Sequence, residues 1–221
     1  MSAMNSWLPI LNYLPAMLYG LRYTFLIALI TLACSMVFGG VIVSLLRSRS
    51  PVGRSIGFLY VQIFRSLSPY VYVLLVYFAL AGVTGWKMDP LTAAIISLTL
   101  LNTAYVAEIY RSALLTIDGG QWEAAAAMGM TTWKTNSVII WPQALRTAIP
   151  LLLNQFIVIL KDSAIVGVIG VKDIVYVANA QAAITYKQFE YLTAVGLIFI
   201  VIVFALSRLS MSLERRLAWR R

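Results

Sequence analysis

The chain holds 221 residues, 61% hydrophobic and 11% charged, with a formal net charge of +9. A soluble domain is about 45–50% apolar and about 25% charged. So few charges cannot cover a soluble surface of this size, and disorder, which needs low hydrophobicity and high charge, is excluded as well. With no histidine and one cysteine, Cys34, the chain can build no Ser-His-Asp triad, Cys-His pair, His-ligated metal site or internal disulfide. No G-x-x-x-x-G-K-[ST] occurs, so a Walker-type ATP site is absent too.

What remains is an all-α membrane protein. A bilayer core of about 30 Å needs about 20 apolar residues in a helix, and five stretches meet that need. Residues 1–20, with Pro9 and Pro15, read as an interfacial lead-in; no basic residue precedes Arg22, so they do not read as a signal peptide. The first span is expected over 21–46. It carries Cys34 as packing and a stripe of small residues, Ser35, Gly39, Gly40 and Ser44, of the kind that packs helices closely in lipid. The second, 55–84, is interrupted by Arg65 and bent or broken near Pro69. Arg65 either snorkels to the headgroups or forms a gate beside that bend. The third, 90–115, carries Asn102, Glu108 and Arg111; the fourth, 147–171, carries Lys161, Asp162 and Ser163; the fifth is 191–213.

Charges near a helix centre cost about 2.5–3.5 kcal/mol each in lipid and mark a path by default. Glu108, Lys161 and Asp162, with Asn102 and Ser163 nearby, are therefore candidates for a solute path. The alternative is that they lock spans three and four together, and Glu108 can pair with Arg111 three residues on. Basic residues gather in alternate links. Arg47, Arg49 and Arg54 lie in the first, Arg111, Lys134 and Arg146 around the third, and Arg215, Arg216, Arg220 and Arg221 in the tail. The other links hold Lys87, Lys172 and Lys187 beside Asp89, Asp173 and Glu190. The positive-inside rule then sets the N-terminus outside and the C-terminus in the cytoplasm. Because the basic residues flank apolar runs, the positive charge points to the lipid bilayer as partner and not to nucleic acid.

The link over 118–146 is too ordered for a loop. A Gly119-Gly120 turn leads into Gln121–Met128, strong helix-forming sequence. Gly129 interrupts it, and a second apolar-periodic stretch, Trp133–Trp141, follows and is expected to end at Pro142. Two short helices with a close approach at Gly129 would expose Trp122, Met128 and Met130, and apolar side chains so placed dock into a partner.

Here the sequence resembles a known family. Glu123-Ala124-Ala125, Gly129, Ile139 and Pro142 fit the EAA motif of the membrane subunits of ATP-binding cassette (ABC) importers, E-A-A-x3-G-x9-I-x-L-P, with Trp141 where leucine is usual. Ala104–Arg111 resembles the A-Y-x-A-E-I-x-R segment of polar amino acid permeases, Gly120–Glu123 their G-Q-x-E, and Pro142–Arg146 with Pro150 and Asn154 their P-Q-A-x-R…P…N. Lys161-Asp162-Ser163 resembles K-D-[TS], though Ala164 removes one hydroxyl of the usual pattern; Phe64-Arg65-Ser66 resembles F-R-[SG]-x-P, with Pro69 shifted.

The resemblance implies a type I ABC importer permease for polar amino acids or related solutes, in the bacterial inner membrane. It implies two ATPase subunits that bind the ATP, a second permease subunit, identical or paralogous, and an extracytoplasmic solute-binding protein. It implies no cofactor of the chain's own and no catalysis by it. Gln121, Glu123, Ala124, Ala125 and Gly129 would couple it to the ATPase, and Glu108 and Asp162 would present carboxylates to the solute. A secondary transporter or channel is the rival. Such folds often show internal repeats, and none is visible here.

Overall fold

The computed structural model describes residues 4–85 and 87–218. Along the chain come α1 (Met4–Leu46), α2 (Pro51–Ser66), α3 (Pro69–Leu74), a π-turn (Leu75–Ala79) and α4 (Leu80–Thr84). Then follow α5 (Pro90–Leu115), α6 (Gly120–Ala127), α7 (Thr132–Thr135), a second π-turn (Asn136–Ile140) and α8 (Trp141–Asp162). A 3₁₀ segment (Ser163–Ile169), α9 (Ile174–Thr185) and α10 (Gln188–Ala218) complete the chain. Four helical stretches are long and apolar enough to cross a membrane: 12–46, 90–115, 132–169 and 188–216. The bent pair Pro51–Ser66 and Pro69–Val83 makes a fifth if its limbs form one span.

The starts of α2, α3 and α5 share one local grammar, a polar residue followed by proline. Ser50 accepts from the N–H of Gly53 ahead of Pro51, and Asp89 accepts from the N–H groups of Leu91 and Thr92 across Pro90. At Ser68-Pro69 the same grammar splits a span. Leu67 (φ −107°, ψ 151°) and Ser68 (φ −67°, ψ 142°) are extended, as residues approaching a proline must be, and α2 and α3 meet at 102°. Stacked rings bridge the corner: Tyr60 on Phe64 at 4.3 Å and Phe64 on Tyr72 at 5.2 Å, while the Tyr72 hydroxyl donates to the Ile63 carbonyl.

Two expectations need correction. The lead-in is not a separate interfacial piece: from Met4 onward it is part of α1 despite Pro9 and Pro15. Burial outweighs the prolines, because Ile10 and Met17 pack with Ile174, Ala178 and Tyr191 from α9 and α10. Nor does Pro142 end a helix. It sits near the start of α8, just past the π-turn, where the Trp141 N–H reaches back five residues to Asn136. The widened turn makes room for a ring that has no N–H to give. Trp133–Trp141 is thus the opening of the fourth long helix. Arg220 and Arg221, used in the reading of topology, lie outside the described residues.

The helix α5 lies at the centre: 61% of its most apolar window is buried, against 6% for α10. The small-residue stripe on α1 divides between two faces. Ser35 donates to the Thr99 carbonyl, and a methyl on Gly39 would stand 2.7 Å from Val106 Cγ1 and 3.2 Å from the Ala107 nitrogen. Gly40 has nothing within 4 Å, and Ser44 bonds only back to the Gly40 carbonyl. Gly39→Ala should therefore destabilise the protein by about 1–3 kcal/mol, since Val106 is stiff and the other contact is backbone. Gly40→Ala should be neutral or gain up to about 1 kcal/mol from helix propensity. Thermal unfolding of the two purified variants in one detergent decides this; equal midpoints would refute the α1–α5 contact.

Candidate functional site

Ring contacts and cavities converge where α1 ends, α2 begins and α5 nears its end. Arg47 lies 5.9 Å from the Trp122 ring, and Arg54 faces the same cavity as Arg111. This cavity, about 700 Å³, is lined by Leu46, Arg54, Ser55, Phe58, Leu59, Val61, Gln62, Arg65, Glu108 and Arg111. A smaller one of about 260 Å³ lies against Arg65, Tyr105, Glu108, Ile109, Ser112, Leu151 and Gln155. Arg65 and Glu108 line both.

Glu108 is clasped by Arg111. The Arg111 Nε donates to both carboxylate oxygens at 3.0 Å and Nη2 to Oε1 at 2.5 Å. Arg65, at the last turn of α2, holds its guanidinium 5.4 Å from the Tyr105 ring. It points at α5, and Pro69, three residues past the helix end, sets the corner beside it. Three guanidiniums face one carboxylate, so the lining is net positive and suited to an anion.

The expected solute residues separate. Asn102 is fully buried, donates to the Leu98 carbonyl at 2.8 Å and accepts from Gln155 Nε2 at 2.7 Å, tying α5 to α8. Those two helices run antiparallel: Tyr110 packs on Trp141, and Ala113 lies in the cluster with Ile140. At about 1.5 Å per residue, Glu108 and Asp162 lie on opposite sides of the Asn102–Gln155 contact, about 20 Å apart along the axes. One solute contact to both is ruled out within this chain. Lys161 and Asp162 are the last residues of α8, inside the 132–169 stretch that goes on as the 3₁₀ segment, and the Ser163 hydroxyl donates to the Leu160 carbonyl.

The α6 segment corrects the picture of its exposure. Trp122 is turned inward, its indole N–H donating to Asn136 Oδ1 at 3.3 Å, and Ala125 is fully buried. Gln121, Glu123 and Ala124 face outward, Met128 is 70% exposed and Trp133 80%. Gly129 makes no close approach; nothing lies within 4 Å of where its Cβ would be. It is required by its backbone, φ +74°, in a Schellman cap where the Met130 N–H reaches Ala125 and the Gly129 N–H reaches Ala126.

Asp173 was passed over in the sequence as one acid in a link. It is fully buried, caps α9 by accepting from the Tyr176 N–H at 2.8 Å, and leaves Oδ2 without a partner. Burial pushes its carboxyl up to about 6. An Asp just ahead of Ile-Val-Tyr-Val was a readable cap signal; its burial under Gly20 was not, since the contact is long-range.

Residues 36–219 match the model of the binding-protein-dependent transport system inner membrane component. The chain belongs to this family. It is 34% identical to the arginine transport system permease protein ArtQ of Bacillus subtilis (strain 168), over 92% of this chain and 93% of that one. It is 31% identical to the glutamine transport system permease protein GlnP of Escherichia coli (strain K12), over 96% and 97%. A crystal structure of an amino acid ABC transporter with histidines aligns at TM-score 0.89 with 32% identity, over 95% and 98%. The type I ABC importer permease fold, and kinship with amino-acid ABC permeases, follow. The cavity, the α6 segment and Asp173 all fall inside the matched family region.

Two predictions follow from these contacts. Asn102→Leu strands the Gln155 amide and should cost about 1–3 kcal/mol, while adding Gln155→Leu should recover most of it; a double-mutant cycle on unfolding midpoints reads the coupling, and additivity would remove the clasp. For Asp173, the folded carboxyl titrates near 6, above its ordinary value of 3.8. The folded state therefore holds the extra proton between about 4 and 6, and stability falls as pH rises through that window, by at most about 3 kcal/mol. Asp173→Asn keeps the cap and should abolish that slope in a pH series of melts.

Proposed function

We propose that this chain is the membrane-spanning permease subunit of an ABC importer for an amino acid or related polar solute, in the bacterial inner membrane. A second permease subunit, identical or paralogous, completes the path. Two separate ATPase subunits bind the ATP and drive it, and an extracytoplasmic solute-binding protein delivers the cargo. The basic end, with Arg47, Arg54, Arg111 and α6, faces the cytoplasm, which sets the N-terminus outside. The observation that carries this reading is α6. A helix held to the bundle by Trp122 and Ala125, closed by a Schellman cap, presents Gln121, Glu123 and Ala124 to an absent partner. Glu123 in its first turn also suits the positive end of the helix dipole.

In this reading Arg65 and Pro69 form a gate at the broken span, and Asn102, Glu108, Lys161, Asp162 and Ser163 line or brace the path at different depths. A secondary transporter or channel would need no such presenting helix. ATP-dependent uptake in proteoliposomes, with the ATPase and solute-binding protein added back, separates the readings; uptake without either would overturn this one.

Gly129 gives a sharper test. Because no atom of the described residues beyond its chain neighbours lies within 4 Å of its Cβ position, a side chain there acts through backbone strain or through a docked partner. Asn tolerates left-handed backbone, so Gly129→Asn should keep most ATP-driven uptake. Gly129→Arg should lose nearly all of it while the spans still insert. Equal activity of the two variants would place the ATPase elsewhere.

A further inference from the structure

The charge around the α2–α5 cavity is unbalanced. Arg54, Arg65 and Arg111 line it with Glu108 as its sole carboxylate. Arg111 is committed to Glu108 through three hydrogen bonds. Arg65 acts on Glu108 only through longer-range attraction. It has no hydrogen bond or ion pair to any described residue, its guanidinium rests over the Tyr105 ring, and it lines both cavities. A guanidinium held on an aromatic face presents parallel N–H donors, the fork that fits a carboxylate. In the smaller cavity the Gln155 amide adds a neutral polar wall.

We propose that Arg65 receives the α-carboxylate of the passing amino acid, and that the net positive lining restricts cargo to amino acids without a positively charged side chain. This rests on the amino-acid permease reading above. A lysine or arginine side chain would enter a space where three cations already face one paired carboxylate. A neutral or acidic side chain meets no such repulsion. The same fork also fits a lipid phosphate, because Phe58 and Leu59 on the cavity wall are more than half exposed, so the test must separate the two sources.

The assembled transporter, with its ATPase and solute-binding protein, is reconstituted in vesicles of phosphatidylcholine alone and in vesicles with added phosphatidylglycerol. ATP-driven uptake of radiolabelled amino acids is measured, grouped by side-chain charge and normalised to permease incorporated. Wild-type protein should carry neutral or acidic amino acids and exclude lysine and arginine. Arg65→Gln should lower uptake of the preferred cargo by at least about tenfold, the worth of a lost charge-assisted hydrogen bond. Arg65→Lys, which keeps charge without the fork, should fall between. Arg49→Gln, in the exposed loop outside both cavities, should match wild type. Wild-type preference for a cationic amino acid, or undiminished uptake by Arg65→Gln, overturns the proposal. So does a loss confined to vesicles with phosphatidylglycerol, which would assign Arg65 to lipid phosphate. Wild-type vesicles that take up no amino acid sink the permease reading itself, a separate outcome from uptake that ignores Arg65.

Discussion

A peptide group in the bilayer core has no water to bond with, so any interruption of a helix there must be repaired by the protein. That constraint explains where this chain bends. At Leu67-Ser68 the break sits at a proline, and the Tyr60–Phe64–Tyr72 stack and the Tyr72 hydroxyl close around it. At Asn136–Ile140 a π-turn absorbs Pro142 without ending the helix. At Ser163 the helix tightens to 3₁₀ and runs to Gly170 at φ +90°. Each repair leaves backbone geometry that an uninterrupted helix lacks, and the first one sets the corner beside Arg65.

Polar side chains follow the same rule. The buried amide of Asn102 meets that of Gln155, and Glu108 takes Arg111 from its own helix face. The Asn102–Gln155 pair ties α5 to α8, while the Glu108–Arg111 pair, internal to α5, leaves the cavity with cations to spare. The threonine hydroxyls at 24, 31 and 99 are buried without partners among the described residues, and each costs about 1–3 kcal/mol. They cluster on α1 and α5, the two helices whose close approach depends on Gly39.

Much of this was legible in the sequence. Hydropathy gave the long helices, Asp89-Pro90 the start of α5, and the glutamate–arginine spacing the clasp, because each depends on residues within a few positions. Proline was read too simply. Pro9, Pro15 and Pro142 looked like boundaries, but burial against α9 and α10 and a π-turn override local propensity, and neither is a local property. Trp122 looked exposed because nothing nearby in sequence showed Asn136 waiting for its N–H. Glu108 and Asp162 looked like one site because both are acids on facing spans; only the Asn102–Gln155 register shows them on opposite sides of it. Arg65 lay between two readings in the sequence, and nothing local placed its guanidinium against Tyr105, forty residues on.

The α6 segment and the cavity share their supporting helices. Asp118 leads from the end of α5 into α6, and α7 continues through the π-turn into α8. Trp122 ties α6 to Asn136 on one side and faces Arg47 at the end of α1 on the other. Glu108 stands seven residues before the end of α5, roughly 10 Å along the axis, and Gln155 on α8 lines the smaller cavity with it. Helices are stiff along their length, so a partner that displaces α6 acts on the two helices that carry Glu108 and Gln155. The limb bearing Arg65 packs directly on the same α5, with Val61 against Ala104 and Ala107 and the Tyr60 hydroxyl donating to the Leu100 carbonyl at 2.8 Å, so a load carried by α5 reaches Arg65 together with the Glu108–Arg111 pair.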